Sequence, residues 1–274
     1  MWPVLFKLGF FELRTYSLFA SMAFLFSGFV FWRKGREEHY SELQLFDGFL
    51  LSSVFGLLIG RLGFIWLNFE RFGWDLLKWI DLIGNPGSHL LLAMLGSFLY
   101  LARFAINKKW DVFEILDFWS LSYALNLLFQ YLGYFFDGGI FGTETKLPWG
   151  IVFPGVFEKH HPVQLYFASF YFVLTLFLSR VEYRYRTFDW YRAGKRSAQT
   201  GFLLSSFLIA VGFFSFLMSF IKLPELIWMD VPLDSWIYLV IFLFGLLMMW
   251  KRSGRNFLPS RKKLGRDFIN EERG

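Results

Sequence analysis

The chain has 274 residues, 55% of them hydrophobic and 23% aromatic, with a formal net charge of +6 and a mean hydropathy of +0.42. Soluble domains carry about 25% charged residues; here the share is 18%, and the charges bunch between apolar runs close to the length that crosses a bilayer core of about 30 Å. A soluble domain is excluded, and the absence of cysteine excludes a disulfide, a thiol nucleophile and a cysteine-based metal site.

Seven apolar segments are expected to cross the membrane, at 15–32, 45–68, 88–106, 113–135, 162–180, 201–221 and 234–250. The first lacks a basic start and a small-residue cleavage site, so it reads as a retained helix rather than a signal peptide. Basic clusters follow alternate segments: 33-RKGREEH-39 after the first, 107-NKKWD-111 after the third, and 180-RVEYRYRTFDWYRAGKR-196 after the fifth. The seventh is followed by 251-KRSGR-255 and 261-RKKLGR-266, whereas the loops 69–87, 136–161 and 222–233 are poor in Lys and Arg. Cytoplasmic loops collect those residues. The expected class is therefore an all-α integral membrane bundle with its N-terminus outside and its C-terminus in the cytoplasm. Residues 1–250 form the membrane domain and 251–274 a basic cytoplasmic tail. The positive charge reflects this bias and attraction to anionic headgroups, and it excludes nucleic acid as the partner.

Ionisable groups inside spanning helices face the bundle interior or a water-filled cavity. Once the orientation is set, Arg61 falls in the outer half of the second helix, and His89 opens the third from outside. Asn126 and Gln130 lie toward the outer end of the fourth, and His161 and Gln164 open the fifth. Each has a plain reading: snorkelling for Arg61, capping for the histidines, and helix cross-linking for the amides. Asp117, near the cytoplasmic end of its helix, suits that helix's dipole. The convergence of these groups on one side points further, to a site for an anionic headgroup at the outer surface. There a guanidinium can hold phosphate oxygens, glycine-rich backbone can present N–H groups, and a histidine can move a proton. No compact His/Asp/Glu set at metal-ligand spacing occurs on this side, and no metal or cofactor is expected.

In these stretches the sequence resembles the prolipoprotein diacylglyceryl transferase family. Thr15-Tyr16-Ser17-Leu18 is similar to its first-helix tyrosine motif, 60-GRLGF-64 to its Gly-Arg motif, and 87-GSH-89 to the segment carrying its histidine. The stretch 114-EILDFWSLSYAL-125 resembles the start of its fourth helix, 142-GTETKLPWGIVFPG-155 its outer loop, and 161-HPVQLY-166 its His-Pro-x-Gln-Leu-Tyr signature. The likeness covers about residues 10–250. It implies transfer of diacylglycerol from phosphatidylglycerol to the lipobox cysteine of a preprolipoprotein signal segment, in the bacterial cytoplasmic membrane. It further implies His89 as base or headgroup-positioning residue, and Arg61, with Lys222, as holder of the phosphate. Tyr16 and Gln164 would orient the lipid, Gly142 would lie in the covering loop, and His161 belongs to the signature. The chain also departs from the family. Tyr131, Tyr134, Asp137 and Gly139 in 130-QYLGYFFDGG-139 replace an arginine, two asparagines and a glutamate, and Ser215 and Ser219 replace an arginine and a glutamate further on. His160 stands where the family usually has arginine. An alternative reading is a relative that binds phospholipid or a signal segment without transfer. A small transporter or seven-helix receptor would need an inverted repeat or a lysine in the last helix, and neither is visible.

Overall fold

The structure, a computed structural model, describes residues 2–8, 11–81, 84–184, 200–224 and 226–252. It opens with a hairpin of β1 (Val4–Leu8) and β2 (Phe11–Arg14), in which Lys7 faces Glu12 across the ladder. Then come α1 (Thr15–Glu37) and α2 (Glu42–Leu67), the short helices α3 (Phe69–Phe72) and α4 (Leu76–Ile80), and α5 (Leu90–Asn107) and α6 (Val112–Asp137). A two-residue ladder of β3 (Ile151–Val152) and β4 (Lys159–His160) precedes α7 (Val163–Glu182). Next is α8 (Phe202–Met218), and a small hairpin of β5 (Ile227–Trp228) and β6 (Val231–Pro232) leads into α9 (Leu233–Arg252).

Backbone N–H and C=O groups find no partner in hydrocarbon, so each long apolar run closes its own hydrogen bonds as a helix. Six of these helices, α1, α2, α5, α6, α7 and α9, have the length and hydropathy of membrane spans. The expected span at 201–221 is shorter. The seventeen residues of α8 reach about 25 Å at 1.5 Å per residue, between the left-handed Gly201 and a turn that begins at Ser219. Among the described residues the bundle thus has six full spans and one short apolar helix. Consecutive long helices run in opposite directions. One end of the bundle carries the N-terminal hairpin, called here the hairpin end; the other carries the basic connections, the basic end.

Helix α1 packs on α6, α2 on α5, α6 on α7 and α8 on α9, and α6 also touches α5 and α8. This makes α6 the central post: 56% of its spanning window is buried, against 17% for α9 at the periphery. Its buried Trp119 is set among Phe98, Tyr123 and Phe207, with ring centroids 5.5, 4.7 and 5.6 Å away. At the basic end Asp111 caps α6 by accepting from the N–H groups of Phe113 and Glu114. Asp117 does not serve its own helix as the sequence reading expected. It accepts from the backbone of Gly201 at 2.7 Å and Leu204 at 2.8 Å, and so caps α8 from the neighbouring helix. Lys34 bridges Glu37 and the buried Glu182, tying α1 to α7. The Tyr40 hydroxyl donates to Glu114; burial first, and that carboxylate second, hold its phenol well above the ordinary value. The loop cluster at 180–196 and the tail 251–274 lie, beyond Arg184 and Arg252, outside the described residues.

Candidate functional site

The predicted site residues all lie toward the hairpin end, in three separate groups. The first joins α2 to α5. Gly60 leaves room for the segment carrying His89: a Cβ there would fall 2.6 Å from Ser88 Oγ and 2.8 Å from Ala93 Cβ. The His89 N–H donates to the Gly60 carbonyl at 2.9 Å. His89 is the N-cap of α5, its Nδ1 accepting from Leu92 N at 3.4 Å. With Nδ1 engaged as an acceptor, the neutral tautomer carries its proton on Nε2.

Arg61, one residue along, is 8% exposed. Its Nε donates to Trp79 O, its Nη1 to Asn85 O and Gly87 O, and its Nη2 to Lys78 O and Asp81 O, all between 2.7 and 3.2 Å. A guanidinium has five N–H donors, and all five are engaged by backbone carbonyls. Arg61, expected to hold a lipid phosphate, directs none of these five bonds to the cavity described below. Arg61 instead gathers the loop after α4 onto the end of α2, with its guanidinium over the Phe72 ring.

The second group is a knot of backbone around Gly142. Gly142 N donates to His161 O at 2.9 Å, His161 N to Thr143 O at 3.0 Å, and Thr143 N to Ile221 O at 2.8 Å, while Gly142 and Lys222 form a β-bridge. Only glycine fits at 142, where a Cβ would sit 2.6 Å from Val163 Cγ2 and 2.8 Å from Ile221 O. Lys222 Nζ lies 3.6 Å from Asp234. Gln164, fully buried, donates from Nε2 to Gly139 O at 2.5 Å, and its Oε1 has no partner. Trp149 Nε1 donates to the Tyr166 hydroxyl, which stands 3.2 Å from His161 Nδ1. His160, buried, donates from Nδ1 to Gly142 O at 2.8 Å. His161, Gly142, Gln164 and Lys222 are thereby brought together, away from Arg61 and His89.

The third group lines a cavity of about 560 Å³ among α1, α2, α5 and α6. Tyr16 and Gln130 meet at its hairpin end, where the Tyr16 hydroxyl donates to Gln130 Oε1 at 2.8 Å and the Tyr134 hydroxyl is 3.4 Å away. Deeper, Asn126 Nδ2 donates to Ser27 Oγ at 3.4 Å. Ser88 and Leu90, the neighbours of His89, are at the rim. Ser21, Ser27, Ser52, Ser53, Ser97 and Ser122 line the walls, and each donates its hydroxyl to a carbonyl three or four residues earlier on its own helix. Among the described residues, no charged side chain and no histidine lines this space. Below the rim, the exposed lining residues (Ser21, Phe24, Leu25 and Leu57) all belong to α1 and α2, so the opening is lateral, between those two helices. Sequence reasoning missed the cavity, because back-bonded serines look like packing residues; the paired Tyr16 and Gln130 were its visible signal. Among the described residues, no three His, Asp or Glu side chains could share a metal ion.

On the other side of α6 large rings pack against one another. Tyr131 stacks on Phe167 at 4.5 Å and on Tyr171 at 5.7 Å, while Phe170 and Phe214 stack at 4.0 Å with rings 2° from parallel. Ser215 is buried beside these rings.

The sequence model for prolipoprotein diacylglyceryl transferase matches residues 3–251, nearly the whole chain. The chain belongs to the prolipoprotein diacylglyceryl transferase family. It is 29% identical over 266 residues to the phosphatidylglycerol–prolipoprotein diacylglyceryl transferase of Aeromonas salmonicida strain A449, covering 90% of this chain and 89% of that one. With the enzyme of the same name from Geobacter sulfurreducens the identity is 28% over 272 residues, 96% of this chain and 97% of that one. The Clostridium tetani enzyme is 26% identical over 230 residues, or 81% and 86%. As a member of the transferase family, the chain combines a bundle that family membership accounts for with a cavity surface free of charge. Tyr131 and Ser215, where the family's arginines are replaced, lie in the aromatic seam beyond α6.

Proposed function

We propose that this chain transfers a diacylglyceryl group from phosphatidylglycerol to the lipobox cysteine of preprolipoproteins, at the outer face of the bacterial cytoplasmic membrane. The observation that carries this reading is the cavity: in a chain matched by the family from residue 3 to 251, it opens sideways to lipid and has its polar group at one end. The alternation of basic connections supports an outward hairpin end, which sets Tyr16, Gln130 and His89 at the depth of the outer headgroups.

In the reaction the cysteine sulfur forms a bond to the glyceryl carbon as that carbon's bond to phosphate oxygen breaks. Glycerol phosphate leaves with the bonding pair. The departing monoester, with a second pKa of about 6, is a sufficient acceptor for the thiol proton, so the protein need not supply a strong base. His89, whose Nδ1 holds the start of α5, positions the headgroup at the rim. Tyr16 fixes Gln130 by donating to its Oε1, and the Nε2 amide of Gln130 orients the lipid's glyceryl and ester oxygens. Gly142, His161, Gln164 and Lys222 form the covering knot that shapes the approach of the signal segment. Gln164 Oε1 is its one unanswered acceptor, suited to a peptide N–H. Arg61 keeps the rim closed by holding the loop after α4.

The test is complementation of a bacterium depleted of its transferase, followed by mass analysis of a model lipoprotein. The expected result is restored growth and a diacylglyceryl thioether on the lipobox cysteine. An unmodified cysteine, with the protein present in the membrane, would overturn the reading.

A further inference from the structure

The deep end of the cavity is built differently from its rim. Gln130 at the rim and Trp119 at the bottom are both on α6, about 16 Å apart along the helix at 1.5 Å per residue. Phe49 of α2 and Trp119 close the bottom. Trp119 is clamped by Phe98, Tyr123 and Phe207, and Phe49 rests against Phe24 at 5.2 Å and Phe31 at 6.0 Å. Gly28 accommodates the Phe49 ring, since a Cβ there would meet it at 2.8 Å. The floor is a pair of rings held on several sides.

The wall above it carries serines whose hydroxyl protons are all committed to their own helices. A phosphate would find no cation there, and a charged headgroup has no counter-ion at that depth. An acyl chain suits such a wall, and the opening between α1 and α2 faces the layer where acyl chains lie. Because lipid tails are as apolar as the pocket, entry gains no hydrophobic free energy. Selection then rests on fit: a chain that ends short of the floor leaves unmatched surface, and one that overruns it clashes with two fixed rings.

We propose that the bottom of this cavity measures one acyl chain of the donor lipid, its terminal methyl ending on Phe49 and Trp119, so that the protein selects phosphatidylglycerol by chain length. This rests on the diacylglyceryl-transfer reading above and adds a specificity determinant to it. Ser52, buried beside the floor, sets the width just above it.

The test uses the full chain reconstituted in nanodiscs whose phosphatidylglycerol is an equimolar mixture of dilauroyl, dimyristoyl, dipalmitoyl and distearoyl species. Lipid retained by the protein after mild detergent extraction is quantified by mass spectrometry, and transfer to a lipobox peptide is measured in parallel. One methylene contributes about tenfold discrimination in a packed pocket competing with water; with hydrocarbon as the competitor, about threefold enrichment of one chain length is expected. Phe49→Ala should lower the floor and move the enriched species to longer chains. Ser52→Val should raise it and move the enriched species to shorter ones. Retained lipid that mirrors the supplied mixture in all three proteins overturns the proposal, as do shifts in the same direction for both variants. Displacement of all retained lipid by excess signal peptide, at every chain length, would assign the space to the peptide and also overturn it. Chain selection without thioether formation would sink the transfer reading and leave the measuring floor standing; thioether without selection would do the reverse.

Discussion

Two spaces flank α6 at the same depth, and they have opposite fates. Between α1, α2, α5 and α6 the lining mixes seven serines, small residues, tyrosines and amides with large apolar side chains such as Phe24, Phe49, Leu57 and Trp119, and a cavity of about 560 Å³ remains. Between α6, α7 and α8 the contacts are Tyr131, Phe167, Tyr171, Phe170 and Phe214, with stacked rings 4.0 to 5.7 Å apart. In a bilayer helices gain little from hydrophobicity and associate through packing and hydrogen bonds. Large rings fill a seam and weld it, whereas back-bonded serines satisfy their own hydroxyls and pull nothing inward. The comparison assigns rigidity to one face of α6 and ligand space to the other.

The largest expected effect breaks the welded side. Tyr131→Ala removes a ring stacked on two others and should destabilise the bundle by about 3–5 kcal/mol, the range for deleting a large buried aromatic. Unfolding in mixed micelles measures it, and a loss below about 1 kcal/mol would mean that the seam is loosely packed. Next comes Arg61→Ala, which frees five carbonyls, two within α4 and three in the loop after it. A loss of about 1.5–3 kcal/mol is expected, with faster proteolysis between residues 73 and 88 and unchanged phosphatidylglycerol binding by the folded fraction. A stable variant that no longer binds lipid would restore Arg61 as a phosphate ligand.

His89 separates capping from catalysis on the cavity rim. His89→Asn keeps a side-chain cap for α5 but withdraws the Nε2–H, so kcat/KM for transfer should fall by about tenfold to a hundredfold at unchanged stability. His89→Ala should show the same loss together with about 1 kcal/mol of stability. Wild-type transfer by His89→Asn would reduce the residue to a cap. The smallest effect is on the open side: Ser122→Ala should change stability by less than about 0.5 kcal/mol, since its hydroxyl serves only its own helix. A cost near that of Tyr131→Ala would erase the distinction between the two spaces.

Much of this architecture is legible in the sequence. The expected segment 113–135 is α6, Val112–Asp137, and 162–180 is α7, Val163–Glu182, because the bilayer itself fixes how long an apolar run must be. The hairpin of β1 and β2 and the short helices α3 and α4 were not foreseen. Elements of four or five residues leave little periodicity to read, although Lys7 and Glu12 on either side of Gly9 were a cue. Arg61 was placed correctly at the hairpin end, but its role depends on a loop seventeen or more residues downstream folding back onto it. Asp117 likewise serves Gly201 and Leu204, partners that only the packing of α6 on α8 reveals. The cavity was hidden for a third reason: Tyr16, Asn126 and Gln130 marked polar positions on α1 and α6, but back-bonded serines look like packing residues and nothing in them signals empty space.

The account's central claim is that the donor lipid occupies the open side of α6. Phosphatidylglycerol carrying a photoreactive diazirine on one acyl chain can be crosslinked to the reconstituted protein and the labelled residues located by mass spectrometry. Labelling that excess ordinary phosphatidylglycerol suppresses should fall on the cavity walls, at Phe24 and Leu25 of α1 and Phe49 and Leu57 of α2. Suppressible labelling at Phe170 and Phe214 in the aromatic seam, with none on α1 or α2, would contradict it.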